Sequence, residues 1–238
     1  GADTGTGADT GTGADTGTGA DTGTGTDVQQ QPVSVASLPQ PGFSTVSDGT
    51  DTTIFIGTSG NDAVLLRNLV GSVNLRGLGG NDVVAFENGS GVVTSYSLSG
   101  GDGNDTIGGT AALVDSLING NRGNDSISTA GATNSSISGG AGVDTINIAG
   151  LTESSFVQGG LGDDTINVSG SLVNTIVNGN SGDDVIKVVA GFSSMSGSTL
   201  CGGAGNDVID ASLATSGVVM AGDFGNDTLI AGGGDDTM

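Results

Sequence analysis

Polar and apolar residues alternate in short runs along this chain, and the runs return at fixed intervals. In "GGLGDDTINVSG", which starts at Gly159, Ile166 and Val168 fall on one side and Thr165 and Asn167 on the other. Period-two alternation over so few residues predicts a short strand. The glycines and adjacent aspartates before it predict a turn, because Gly admits positive φ and Asp tolerates tight bends. Two residues after a recurring Asp comes an aliphatic: Val64, Val84, Ile107, Ile127, Ile146, Ile166, Ile186, Ile209 and Leu229, with Met238 in the tenth repeat. A second apolar position, twelve residues after the Asp, holds Leu117, Ile137, Phe156, Ile176 and Val219. Each unit is expected to run turn, strand, second turn, strand.

The recurring acids are Asp62, Asp82, Asp105, Asp125, Asp144, Asp164, Asp184, Asp207, Asp227 and Asp236, spaced 20, 23, 20, 19, 20, 20, 23, 20 and 9 residues apart. Two residues before each is a glycine: Gly60, Gly80, Gly103, Gly123, Gly142, Gly162, Gly182, Gly205, Gly225 and Gly234. One unit of about 20 residues has nothing to bury its aliphatics against, whereas stacked units bury them in a continuous narrow core. The fold class is therefore all-β, a parallel β-solenoid with one repeat per coil. The two 23-residue spacings place insertions near 88–95 and 190–199, in the second turn.

The remainder of the chain divides simply. Residues 1–27 repeat GADTGT and carry no side chain larger than Thr until Val28 follows, so they are expected to be a disordered acidic linker. Residues 28–53 hold all three prolines and read as a linker or the approach to a cap. Residues 54–238 form the solenoid. Gly1 is no natural start and the last repeat stops short, so the chain is expected to be a fragment, truncated at its C-terminal end.

Composition narrows the function. The net charge of −22 argues against nucleic-acid binding and against anionic lipid. No apolar run reaches the length of a membrane span and no signal peptide is visible. With no His and one Cys, the chain has no Ser-His-Asp triad, Cys/His zinc site or internal disulfide. Cys201 reads as a small core residue.

Asp outnumbers Glu by 24 to two, which solubility alone does not require. Stacked strands lie about 4.8 Å apart, so the recurring carboxylates form a ladder along one edge. Unit charges at that distance repel by roughly 0.9 kcal/mol per neighbour even in water. Such a ladder calls for cations between its rungs, and glycine lets backbone carbonyls turn toward the same point. Six to eight oxygens in a flexible setting suit Ca²⁺ better than Mg²⁺. Aspartates that merely shape turns are the plainer alternative, but Asn would serve turns as well and never stands at this position. The residue before the Asp varies among Asn, Asp and Val143 and reads as an outward side chain of lesser importance.

The stretches "GGDGNDTIG" (100–108), "GGAGVDTIN" (139–147), "GGLGDDTIN" (159–167) and "GGAGNDVID" (202–210) resemble the nonapeptide of the RTX calcium-binding β-roll. Looser copies are "GLGGNDVVA" (77–85), "GNRGNDSIS" (120–128), "GNSGDDVIK" (179–187) and "GDFGNDTLI" (222–230). The resemblance implies ions held between successive coils by the ten Asp side chains and by carbonyls of the glycine region. The chain departs from the family in one respect. A calcium turn every nine residues occurs only between Asp227 and Asp236, so one calcium row is expected, with a polar Ser/Asn/Gly edge opposite.

By that resemblance the chain is a calcium-dependent structural module of a secreted or cell-surface protein: an adhesin, S-layer or surface-fibre stalk. It would be bacterial, exported unfolded at low calcium, and not itself an enzyme. The alternative is the calcium-binding tail of a secreted protease, lipase or epimerase whose catalytic domain lies elsewhere. Candidate partners besides calcium are cell-surface polysaccharide and neighbouring copies. A lyase-like solenoid is disfavoured because the acids stand in one regular row rather than across a cleft. Ice binding is disfavoured because the residues before the fixed glycines make no hydroxyl array.

Overall fold

The computed structural model describes residues 42–47, 52–69 and 71–238. The expected linker 1–27 and residues 28–41 of the segment after it lie outside the described residues. Among those described there is no helix; 25 strands form three sheets of ten, nine and six strands. The chain winds as a parallel β-solenoid of three faces. One coil shows the plan: Phe156–Leu161 lies on the first face, Thr165–Val168 on the second, Leu172–Val173 on the third. Coils have three strands, not two, because the expected second turn divides into two corners with a short strand between.

Parallel pairing in register links each coil to the next. Ile166 pairs with Ile146 on one side and Ile186 on the other. The aliphatics two residues after each Asp thereby stack in one inward column, fully buried from Ile107 to Ile209. Burying each such side chain contributes about 1.5–3 kcal/mol. The third face supplies Leu113, Ala132, Thr152 and Leu172 to the same core.

The first face corrects the expected second apolar position. Its inward column is Leu98, Ile118, Ile137, Val157, Val177, Leu200 and Met220. Leu117, Ile176 and Val219 are exposed, and Phe156 is half-buried. The 19-residue coil ending at Asp144 explains the slip: counting twelve from Asp125 lands on inward Ile137, but from Asp144 on outward Phe156. Cys201, adjacent to buried Leu200, likewise lies half-exposed on the outer side, not in the core. Met238 is 69% exposed rather than part of the aliphatic column.

The insertions fall where the second face turns into the third. They occupy 88–91, between Val83–Glu87 and Val92–Thr94, and 189–194, between Val185–Val188 and Met195–Ser196. Extra residues bulge there without shifting the register of the paired strands. At the other end Ser44–Ser47 pairs antiparallel with Thr52–Ile56 and closes the edge of the first sheet.

Candidate metal centre

Each acid turn joins the first face to the second. The glycine two residues before the Asp has positive φ in nine of the ten repeats, from Gly80 at 99° to Gly205 at 148°. Gly60 is the exception. A side chain would be strained at such φ values, and there is no room for one. A Cβ at Gly123, Gly142 or Gly162 would overlap the carbonyl oxygen of Gly103, Gly123 or Gly142 in the preceding coil. Among the described residues no backbone N–H donates to the carbonyls of Gly80, Gly103, Gly123, Gly142, Gly162, Gly182 or Gly205.

The acids form one row, but it is buried inside the corner rather than standing on an exposed edge. Asp62, Asp82, Asp105, Asp125, Asp144, Asp164, Asp184 and Asp207 are all at most 4% exposed. Their two oxygens have different surroundings. Oδ1 accepts the backbone N–H of the Asp one coil earlier: Asp82 from Asp62 at 2.8 Å, Asp125 from Asp105 at 2.7 Å, Asp164 from Asp144 at 2.8 Å, Asp227 from Asp207 at 3.0 Å. These bonds join coils some twenty residues apart, so the acids are not shaping their own turns locally.

Oδ2 is the open end. In Asp82, Asp105, Asp125, Asp144, Asp164, Asp184 and Asp207 it is buried with no hydrogen-bond partner. An unsatisfied buried group costs about 1–3 kcal/mol, more if charged. Asp62, at the start of the row, differs: its Oδ2 accepts the Thr58 N–H at 2.6 Å.

A glycine five residues before each Asp from Asp62 to Asp227 makes space at this oxygen. A Cβ at Gly100, Gly120 or Gly179 would meet both the Oδ2 of Asp105, Asp125 or Asp184 and the carbonyl oxygen of Gly120, Gly139 or Gly202. The strand register runs continuously on either side of these glycines but omits Gly100, Gly120, Gly139, Gly159, Gly179 and Gly202. Orphan carboxylate oxygen and backbone oxygen thus converge beside a glycine that has no partner in the strand register.

Burial dominates the electrostatics. It pushes the carboxyls of Asp125, Asp164 and Asp184 up to about 7 and that of Asp105 up to about 6, against the lowering effect of the N–H bond each accepts. Asp82, Asp144 and Asp207 move up for the same reason. A nearby cation would restore the charged form.

Asp236 stands apart from the row. Its Oδ1 accepts the N–H of Val218 at 3.0 Å, and its neighbour Thr237 bridges to Val219. Since Met220 pairs with Leu200, Val218 stands level with Ser198. Asp236 therefore belongs to the corner where the third face returns to the first, and nine acids remain in the row.

That other corner holds a row the sequence reading missed. Ser116, Ser135, Ser155, Thr175 and Ser198 are buried. Their hydroxyls accept N–H groups of Tyr96, Ser116, Ser135, Ser155 and Thr175 at 2.9–3.4 Å. Each hydroxyl also donates to the carbonyl two residues back, as Ser155 does to Glu153 at 2.8 Å. Here the same coil-to-coil bond is made by a neutral group that is fully satisfied. The signal was present as a Ser or Thr recurring about every 20 residues.

The residue before each Asp also does more than expected. Asn61, Asn81, Asn104, Asn124, Asp163, Asp183 and Asn206 accept the N–H of the equivalent residue one coil later, at 2.7–3.1 Å. This exposed ladder runs opposite to the buried one, and Val143, which lacks a side-chain oxygen, interrupts it.

Calcium fits this corner on the structure's own terms. Among the described residues no group of three or more acidic side chains converges on a point. A bound ion would therefore draw most of its six to eight oxygens from glycine-region carbonyls and only one or two from Asp Oδ2. Fold and corner together define a calcium-binding parallel β-solenoid. Residues 97–111, 128–149, 147–170, 199–213 and 219–238 match the family model of the RTX calcium-binding nonapeptide repeat (4 copies). Those stretches of the solenoid are RTX calcium-binding repeats, and together with the parallel winding they support an RTX β-roll. No curated protein and no solved structure matches the chain.

Proposed function

We propose that the chain is a calcium-dependent structural module of a secreted or cell-surface protein, a stiffening stalk of the adhesin or S-layer kind. The observation that carries this reading is the run of seven consecutive buried Asp Oδ2 atoms without partners, from Asp82 to Asp207. A row of buried, uncompensated acids opposes folding, and cations along it turn the same row into the source of cohesion. Such a module stays unfolded where calcium is scarce and stiffens where it reaches the 10⁻⁴–10⁻³ M range of extracellular sites. That dependence suits a protein working outside the cell. We assign it no catalytic step, since its recurring acids are buried in one row and do not face each other across a cleft. Circular dichroism tests the reading: chelator should give a coil spectrum and millimolar calcium should restore the β signal. A spectrum unchanged by chelator would refute it.

A further inference from the structure

The outer side of the first face differs from the rest of the molecule. The chain has 26 acids, yet five successive strands of this face, Leu117–Arg122, Ser136–Ala141, Phe156–Leu161, Ile176–Ser181 and Thr199–Ala204, contain none. Arg122 is their one charge, and it pairs with Asp102 at 3.7 Å.

Two open grooves lie on this face. One, of about 610 Å³, has Ser99, Asn119, Asn121 and Ser138 in its lining, with Arg76 and the Arg122–Asp102 pair also in it. The other, of about 820 Å³, runs beside Leu117, Phe156 and Ile176. Leu117 and Ile176 are each 45% exposed, so an apolar border flanks a hydroxyl and amide floor. The floor side chains are held by each other. Asn121 donates to Ser99 at 2.8 Å, Gln158 to Ser138 at 3.1 Å, and Asn180 to Gln158 at 3.3 Å. Side chains fixed in this way lose little further freedom on binding.

We propose that this face binds an uncharged, linear, β-linked polysaccharide lying along the solenoid axis. The proposal rests on the calcium-folded solenoid of the preceding reading and names a partner for it. Three features select this occupant. The floor repeats once per coil at the strand spacing of about 4.8 Å, close to the advance of one residue in an extended β-linked glycan. Amide and hydroxyl groups suit sugar hydroxyls, and the apolar border suits the C–H faces of the rings. The five central strands carry no acid and a single base, Arg122, already paired with Asp102, so their floor offers a neutral glycan hydrogen bonds and offers a charged one no counter-charge.

The test uses the full chain in saturating calcium, with microcrystalline cellulose and chitin as probes and polygalacturonate-coated beads as the acidic comparison. Circular dichroism is read first and addresses the calcium reading alone; retention of the folded protein addresses this one. The expected result is retention on a neutral glycan and not on polygalacturonate. The double variant Phe156→Ala/Gln158→Ala should lower the retained affinity by about tenfold or more, with its calcium-induced β signal unchanged. Asn147→Ala/Asn167→Ala on the second face, where the two amides bond each other at 2.9 Å, should leave retention as it was. Folded protein that neutral glycans do not retain overturns the proposal, as does equal loss from both double variants. A Phe156-dependent dimer in sedimentation without glycan would also overturn it, assigning the face to a second copy instead.

Discussion

The backbone N–H of Asp144 donates to Oδ1 of Asp164 across 2.8 Å, while Oδ2 of the same carboxylate has no partner. One oxygen is a clamp between coils and the other is an acceptor awaiting a cation. Substitutions can separate these two roles.

Asp164→Asn keeps the volume and an oxygen for the Asp144 N–H, but removes the charge. In chelator it should be neutral or mildly stabilising, because it relieves burial of a carboxylate that desolvation opposes. With calcium a deficit should open and then level off, at about 1.4 kcal/mol for each tenfold loss of site affinity. Urea unfolding across a calcium series measures this. An equal deficit with and without calcium would make the acid a clamp only.

Ile166→Ala acts on the core. Ile166 is fully buried between Ile146 and Ile186, so truncation should cost about 2–5 kcal/mol. Measured at two saturating calcium concentrations, the loss should be the same at both, since no ligand is touched.

Ser155→Ala probes the neutral corner. It removes the acceptor of the buried Ser135 N–H, leaving that group unpaired, and one of two donors to the Glu153 carbonyl, which keeps the Asn134 N–H. A loss of about 1–3 kcal/mol is expected. Thermal melts should show the loss unaltered by calcium concentration, because this corner binds no ion.

The ion count follows from Asp236 lying outside the row. The nine acids Asp62 to Asp227 leave eight intervals, and the Thr58 bond already satisfies Asp62 Oδ2. Calorimetry should find no more than eight calcium ions per chain. A count near twice that would mean the hydroxyl corner also takes metal.

Acid should stabilise the calcium-free form. Asp125, Asp164 and Asp184 reach about 7 in the folded chain, above the unfolded value of about 3.9. A raised folded value contributes stability that is fully present below about pH 4 and lost as pH rises through about 7. In chelator, the β signal should therefore be stronger at pH 5 than at pH 8 (working values of about that size). In calcium the direction reverses, since the ion needs the ionised carboxylate, and calcium affinity should fall as pH drops below about 7. Circular dichroism at both pH values, with and without calcium, checks both signs.

The period alone determined the solenoid, the acid row and the inward aliphatics. A parallel coil stacks each residue on the one a repeat later, so Asp144, Asp164 and Asp184 had to share a column, as did Ile146, Ile166 and Ile186. Period does not reveal how many times a coil bends. The third corner is built on Asp115, Asn134, Ser154 and Asn174 at φ of 47–49°, residues that enter the left-handed region without a glycine to announce it. Only the folded chain showed that corner. With it came the phase that turns Leu117 outward and Ile118 inward, and the displacement of Asp236 from the row. The division of labour within each carboxylate was likewise tertiary. Which oxygen meets an N–H and which meets nothing depends on the neighbouring coil, and a residue's type cannot say what its neighbour one coil away will offer.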